Sequence, residues 1–269
     1  MKIFVPFVAA SMAIAGVASD AKHTSRQLIV GGEETFEGNH PFVVSLRLKK
    51  PDETLCHGAL ISPNVVLTTI FCGLTEPEHY RLNYATIGAY YSRGMLNAEG
   101  DRDGEHLKIL KTINHPDFEH PTNSVDIAVL ILEKESTFKP IGLPTSSEID
   151  LKTPLRTFGW GSTYYATESE ADQSFRMKTI LLNPMTQNEC SKAYENITNS
   201  FFCASGENQG GLCIGDNGNP AIDEKKEVVV GISSHGKGCN NNVLSNVGAV
   251  TEWLQEIIKQ YAPKQSQVK

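Results

Sequence analysis

The sequence predicts an all-β chain built as barrels or sandwiches, with one helix at its end. Three features predict it: apolar runs that stay short, turn residues that cut them at close intervals, and a helical period confined to the last segment. The runs fall at 41–48, 59–69, 84–88, 107–113, 127–132, 154–160, 177–182 and 228–232, separated by Gly, Pro, Asn and Asp. Many short strands at this spacing bury themselves by closing a sheet or stacking two. Near the end, Val250, Trp253, Leu254, Ile257, Ile258 and Tyr261 recur at the period of one helix face, and Pro263 stops the helix. The opposite face, Glu252, Gln255, Glu256 and Lys259, has no basic excess, so the apolar stripe docks on the protein body and not on a membrane.

With 269 residues, 40% hydrophobic and 20% charged, the chain can bury one large core or two small ones, which excludes disorder, collagen and coiled coil. At the start, Lys2 precedes an apolar stretch over 3–17 and then Ala18 and Ser19, the pattern of a signal peptide covering 1–19. No other run approaches the roughly 18 apolar residues of a membrane span. The expected organisation is signal peptide 1–19, a short pro-like segment 20–28, a folded domain 29–262 and a polar tail 263–269. Removing 1–19 takes away Lys2 and leaves 23 basic against 31 acidic side chains, a net charge of −8. A nucleic-acid or heparin binder would be basic, so both partners are excluded.

Export fixes how the cysteines read. Cys56, Cys72, Cys190, Cys203, Cys213 and Cys239 are an even number in an oxidising compartment, which predicts three disulfides and leaves 15 pairings open. No pair has the C-x2-C spacing of a zinc site, so no metal and no cofactor is expected. The stretch 99–105 alternates acids and glycines like a calcium loop, but its closing position is Leu110 where a bidentate Glu is needed. It reads as a solvated surface loop. Asn196-Ile-Thr198 is a glycosylation sequon.

Four segments in this order resemble the trypsin-like (chymotrypsin-fold) serine peptidases: Ile29-Val-Gly-Gly32, Ala59-Leu-Ile-Ser with Leu67-Thr-Thr-Ile-Phe-Cys72, Asp126-Ile-Ala-Val-Leu130, and Cys213-Ile-Gly-Asp-Asn-Gly-Asn-Pro220. Phe158-Gly-Trp-Gly161 and the terminal helix agree, so the resemblance spans about 29 to 261. It implies two antiparallel six-stranded β-barrels with a C-terminal α-helix. It also implies disulfides 56 to 72, 190 to 203 and 213 to 239, each worth roughly 3 kcal/mol by chain entropy.

Catalysis in that family needs a Ser nucleophile, a His that carries its proton and an Asp that orients the His. The family's His stands just before the second Cys of the first disulfide, where this chain has Phe71. Its Ser stands in Gly-Asp-Ser-Gly-Gly-Pro, which here reads Gly215-Asp-Asn217-Gly-Asn219-Pro220. Phenylalanine moves no proton, and a carboxamide nitrogen is a poor nucleophile. Asp126 remains with no imidazole to orient. His57 lies on the preceding strand and cannot substitute in place. The remaining histidines, His23, His40, His79, His106, His115, His120 and His235, read as surface or strand-end residues outside the catalytic pair.

The resemblance places the base of the former specificity pocket at Gly211, with no carboxylate to select Lys or Arg, and its wall at Ser234, His235 and Gly236. The family is activated when a freed Ile ammonium pairs with the Asp before the nucleophile, here Asp216. Gln27 and Leu28 separate Ile29 from the nearest tryptic site at Arg26, so such a cut leaves two extra residues, that ammonium misplaced and Asp216 in need of other donors.

A fold that keeps its frame and loses its chemistry is a fold kept for binding. Among non-catalytic homologues the chain is most similar to the glucanase inhibitor proteins of oomycete plant pathogens, through 61–69, 104–111 and 130–134. That resemblance implies a secreted monomer whose partner is a host endo-β-1,3-glucanase; the contacts are expected on loops around the old cleft, which carry the peptidase family's substrate recognition, near 168–173, 207–211 and 235–242. A different protein partner is the alternative; an active endopeptidase and a lectin-like module are less supported.

Overall fold

After a two-residue edge strand, β1 (Glu33–Glu34), the chain closes two barrels in succession. The computed structural model describes residues 32–49, 53–74, 81–93, 103–118, 125–160, 174–194, 197–207, 210–213, 215–237 and 241–262. The first barrel contains β2 (Val43–Arg47), β3 (Cys56–Ser62), β4 (Val65–Thr68), β5 (Tyr84–Ile87), β6 (Glu105–Asn114) and β7 (Ala128–Leu132), in spatial order β2-β3-β4-β7-β6-β5. The second contains β8 (Leu155–Gly159), β9 (Lys178–Pro184), β10 (Phe201–Gly206), β11 (Pro220–Asp223), β12 (Val228–Lys237) and β13 (Asn241–Asn246). Its order is β9-β10-β13-β12-β11-β8, β8 pairs back onto β9, and β1 adds outside β9. Helix α1 (Gln187–Ala193) links β9 to β10, and α2 (Thr251–Tyr261) follows β13.

Strands such as β4 and β7 read as continuous apolar runs because both of their faces are covered. Val44 and Leu46 point into the first barrel with Leu60, Val66, Ile87, Leu107 and Leu130. Val43 points the other way and joins Ala59, Leu67, Phe158, Trp160 and Ile232 in the core between the barrels. Leu155, Ile180, Leu182, Phe202 and Leu244 fill the second barrel. The run at 59–69 is two strands and not one: Pro63 and Asn64 turn the chain, and Ala59 pairs with Leu67. The run at 228–232 is the first half of a ten-residue strand that continues through polar residues to Lys237.

The helix stripe docks as expected on the inter-barrel core, with Leu254 and Ile257 buried and Trp253, Ile258 and Tyr261 packed at its edge. Asn64 Nδ2 donates to the Tyr261 carbonyl at 2.8 Å, which fixes the helix end to the β3–β4 turn. Among the described residues, no helix is long and apolar enough to cross a membrane. The disulfides Cys56–Cys72 and Cys190–Cys203 have Cα separations of 5.8 and 5.4 Å. Cys213 is disulfide-bonded as well; Cys239 and the sequon's Asn196 lie outside the described residues.

The 99–105 stretch departs from expectation. Residues 99–102 lie outside the described residues, but Asp103 is buried, not solvated. Its two carboxylate oxygens accept from the backbone N–H groups of Tyr90 and Tyr91 at 2.7 Å each. Gly104 follows at φ +79°, where a Cβ would lie 2.3 Å from the Ile87 carbonyl. Burial raises the Asp103 pKa, against the two N–H donors and the Arg47 charge. Arg47 is itself wholly buried on β2: Nε donates to Ser45 Oγ at 2.7 Å and a terminal nitrogen to the Tyr91 carbonyl at 3.1 Å. Removing one member of a buried, hydrogen-bonded charge cluster leaves the others uncompensated. Arg47→Ala should therefore cost about 3 to 5 kcal/mol, read as a lowered urea midpoint.

Candidate functional site

The three positions singled out by the catalytic motifs converge at the seam of the barrels. Phe71 opens a one-turn helix, Phe71–Gly73, after β4; Asp126 stands before β7; Asn217 lies in the turn between Cys213 and β11. Their chain neighbours tie them together. The Ile70 N–H donates to Asp126 Oδ1 at 2.9 Å, and Cys72 Sγ lies 3.6 Å from the Asn217 carbonyl. The His57 N–H donates to that same carbonyl at 2.9 Å. Gly218, at φ +84°, seats the turn on β3, where a Cβ would lie 2.0 Å from the His57 carbonyl. Only glycine fits there.

Asp126 is buried, and Ser234 Oγ donates to its second oxygen at 2.5 Å. Burial pushes its pKa up, while the Ser234 hydroxyl and the Ile70 N–H pull it down. The structure also brings in a residue that the motifs left outside: His235 Nδ1 lies 3.0 Å from Ser234 Oγ, so one hydroxyl separates imidazole from carboxylate. With Asp126 ionised, the only hydroxyl proton of Ser234 is committed to it. His235 must then donate through Nδ1, a tautomer assigned from the network, and it cannot take the Ser234 proton. The ring reaches the exposed rim between the edges of Tyr194 and Phe201, each 5.9 Å away. Partial burial holds its pKa below the ordinary value, and the Asp126 charge acts the other way.

Phe71 offers no titratable atom and is 42% exposed; three residues on, Leu74 is exposed as well. His57 is wholly buried on β3 with its ring stacked on Trp160, centroids 5.7 Å apart. Burial drives its pKa down to about 3, so the ring is neutral and sealed from the cleft. Elsewhere His115 packs against Trp253 and His40 against Phe158.

Sequence reasoning assigned no structural role to two asparagines, Asn219 and Asn242, that hold the main chain on either side of Cys213. Asp216, fully buried, accepts from the Cys213 N–H and from Asn219 Nδ2, both at 2.9 Å. Asn219 stands where the family motif has its third glycine, so that departure was a usable signal. Asn242 on β13 reaches the main chain beside Gly211: its Oδ1 accepts from Leu212 N–H at 3.1 Å and its Nδ2 donates to the Leu212 carbonyl at 2.7 Å. Nothing in the sequence marks Asn242, because its place depends on the β12–β13 register. Of the expected contact segments, 168–173 lies outside the described residues, as do 208–209 and 238–240 of the other two.

Among the described residues, no three His, Cys, Asp or Glu side chains are grouped to hold a metal ion. A cleft of about 600 Å³ lies away from Phe71, lined by His40, Phe42, Lys139, Ile222, Glu224 and Lys226. Its charges pair locally, Lys139 with Glu227 at 3.6 Å and Arg156 with Glu224 at 2.9 Å.

A family model described as Trypsin matches residues 29–254. The chain is similar to Glucanase inhibitor protein 2 of Phytophthora sojae, at 36% identity over 96% of this chain and 89% of that protein. It is similar to Glucanase inhibitor protein 2 of Phytophthora infestans, at 33% identity over 96% and 99%. Trypsin 5G1 of Aedes aegypti is 30% identical over 85% and 84%.

Proposed function

This chain belongs to the trypsin family, and from that membership and the site's geometry we propose that it is a secreted, non-catalytic member that binds and inhibits host plant endo-β-1,3-glucanases. By holding these enzymes it suppresses release of the wall fragments that elicit defence. The observation that carries the reading is the exposed Phe71 beside an otherwise ordered Asp126 and Asn217. Phe71, Asp126 and Asn217 are the degenerate triad in this reading, and Gly211, Ser234, His235 and Gly236 the former specificity pocket. Relatives named glucanase inhibitor proteins, matched over nearly the whole chain, support the target. Residues 1–19 act as the export signal, 29–262 form the domain, Cys213 bridges Cys239, and Asn196 carries glycan.

An exposed aromatic on a rigid frame is the kind of group that anchors protein interfaces. Phe71 and Leu74 supply apolar area and His235 a polar edge on loops positioned by closed barrels. The internal donors to Asp216 hold the neighbouring turn. The protein mixed with a purified plant endo-β-1,3-glucanase should co-elute with it as a one-to-one complex on gel filtration. Separate elution across a broad glucanase panel would remove the glucanase from the proposal.

A further inference from the structure

We propose that Asn242 permanently closes the former specificity pocket, so that the cleft face takes in no side chain and instead offers Phe71 to a depression on its partner. The statement about the partner rests on the binding reading above; the closed pocket does not.

The two walls of the pocket are the segment carrying Gly211 and Leu212 and the strand carrying Ser234 to Gly236. Register places Asn242 directly opposite Gly236, across from β12. From there its carboxamide reaches Leu212 and bonds both N–H and C=O of that one residue, at 3.1 and 2.7 Å. A carboxamide presents one acceptor and one donor group side by side, matching a backbone N–H and C=O as a neighbouring strand would. One side chain thus joins the two walls, and it is only 2% exposed. A void wide enough for a guest side chain cannot coexist with it.

The wall at Leu212 cannot swing away cheaply. The Leu212 side chain is buried in the second barrel with Leu155, Phe202 and Leu244. Just beyond it, the Cys213 N–H is held by Asp216, whose other oxygen takes Asn219 Nδ2. On the opposite side, the Tyr194 hydroxyl donates to the Asn241 carbonyl at 2.7 Å and fixes the residue before the plug. Opening the pocket would strip both hydrogen bonds from a buried backbone unit, which is costly without replacements. The exposed aromatic beside Asp126 is Phe71, with Leu74 exposed three residues on. Recognition therefore runs opposite to that of a peptidase: the protrusion is on this chain and the depression on the partner.

Indole is a suitable probe because it is neutral and aromatic, and Gly211 supplies no charge to select a cation. Titrated by NMR, the wild-type protein should show no saturable indole binding and no shift at the Leu212 or Ser234 amides. Asn242→Gly should open a small cavity beside the freed Leu212 N–H and C=O and bind indole, whose ring N–H can meet that carbonyl, roughly tenfold or more tightly than wild type, as engineered cavities bind small aromatics. Saturable uptake by the wild type with shifts at Leu212 and Ser234 would overturn the proposal. So would a folded Asn242→Gly variant that binds no better than wild type. Asn242→Ala, which keeps the strand's Cβ, is read the same way if the glycine variant does not fold, and the wild-type titration decides if neither does. No glucanase enters this measurement, so its failure and that of the proposed function are distinguishable.

Discussion

Peptide and protein substrates incubated with the purified protein should show no turnover above background, about six orders of magnitude below an intact triad. Three features produce this result together. In the proposed reading Phe71 stands at the position that must carry a proton, and it has no atom that can take one. In the same reading Asn217 presents a carboxamide where a hydroxyl must attack. The nearest imidazole, His235, donates to Ser234 and is not placed to activate Asn217. Restoring one group is insufficient, because nucleophile and base act as a unit. Neither Asn217→Ser nor Phe71→His alone should raise turnover, and the double change still meets a pocket whose walls Asn242 joins. Turnover by the unmodified chain that disappears with Asp126→Ala would contradict the non-catalytic reading.

The second large effect is acid sensitivity from a residue that takes no part in binding. His57 is wholly buried against Trp160, and burial lowers its pKa from 6.5 to about 3. Between those two values the unfolded chain binds a proton at His57 that the folded chain refuses, so stability falls as pH falls from about 6.5 towards about 3. The slope is about 1.4 kcal/mol per pH unit, on the order of 4 to 5 kcal/mol across the window. The buried carboxylates act with the opposite sign. Asp103 and Asp126 have raised folded pKa values, so acidification through those values relieves a penalty. Urea unfolding of wild type and His57→Phe at pH 7 and pH 4 isolates the histidine. The wild type should lose several kcal/mol more than the variant, whose ring still packs on Trp160. Equal losses would mean that His57 does not titrate as its burial requires.

The strands that the sequence made legible are those whose side chains are apolar on both faces, such as β4 and β7. Those it hid are held by partners rather than by composition. β13, Asn-Asn-Val-Leu-Ser-Asn, is polar enough to pass for a loop and forms because β10 and β12 flank it. β11 begins at a proline and is only four residues long. Helix α1 carried a usable signal that went unread: Thr186 and Glu189 form a reciprocal capping box, with Glu189 N–H donating to Thr186 Oγ1 at 3.3 Å. At the site, Phe71 and Asn217 could be read because motif positions are local in the chain. Asp103 and Asn242 could not, because the backbone groups they satisfy belong to segments 12 to 30 residues away.

The proposed function makes the exposed Phe71 the anchor of a protein interface. The direct measurement is inhibition of glucan hydrolysis by a plant endo-β-1,3-glucanase, titrated with wild type and with Phe71→Asp. Because Phe71 is 42% exposed, the substitution should leave the fold intact, which thermal unfolding checks. The account predicts inhibition that saturates near one equivalent of wild type and weakens about 30-fold or more in the variant, as expected for loss of a central aromatic anchor. Undiminished inhibition by a folded Phe71→Asp variant would contradict the account by placing the contact elsewhere on the molecule.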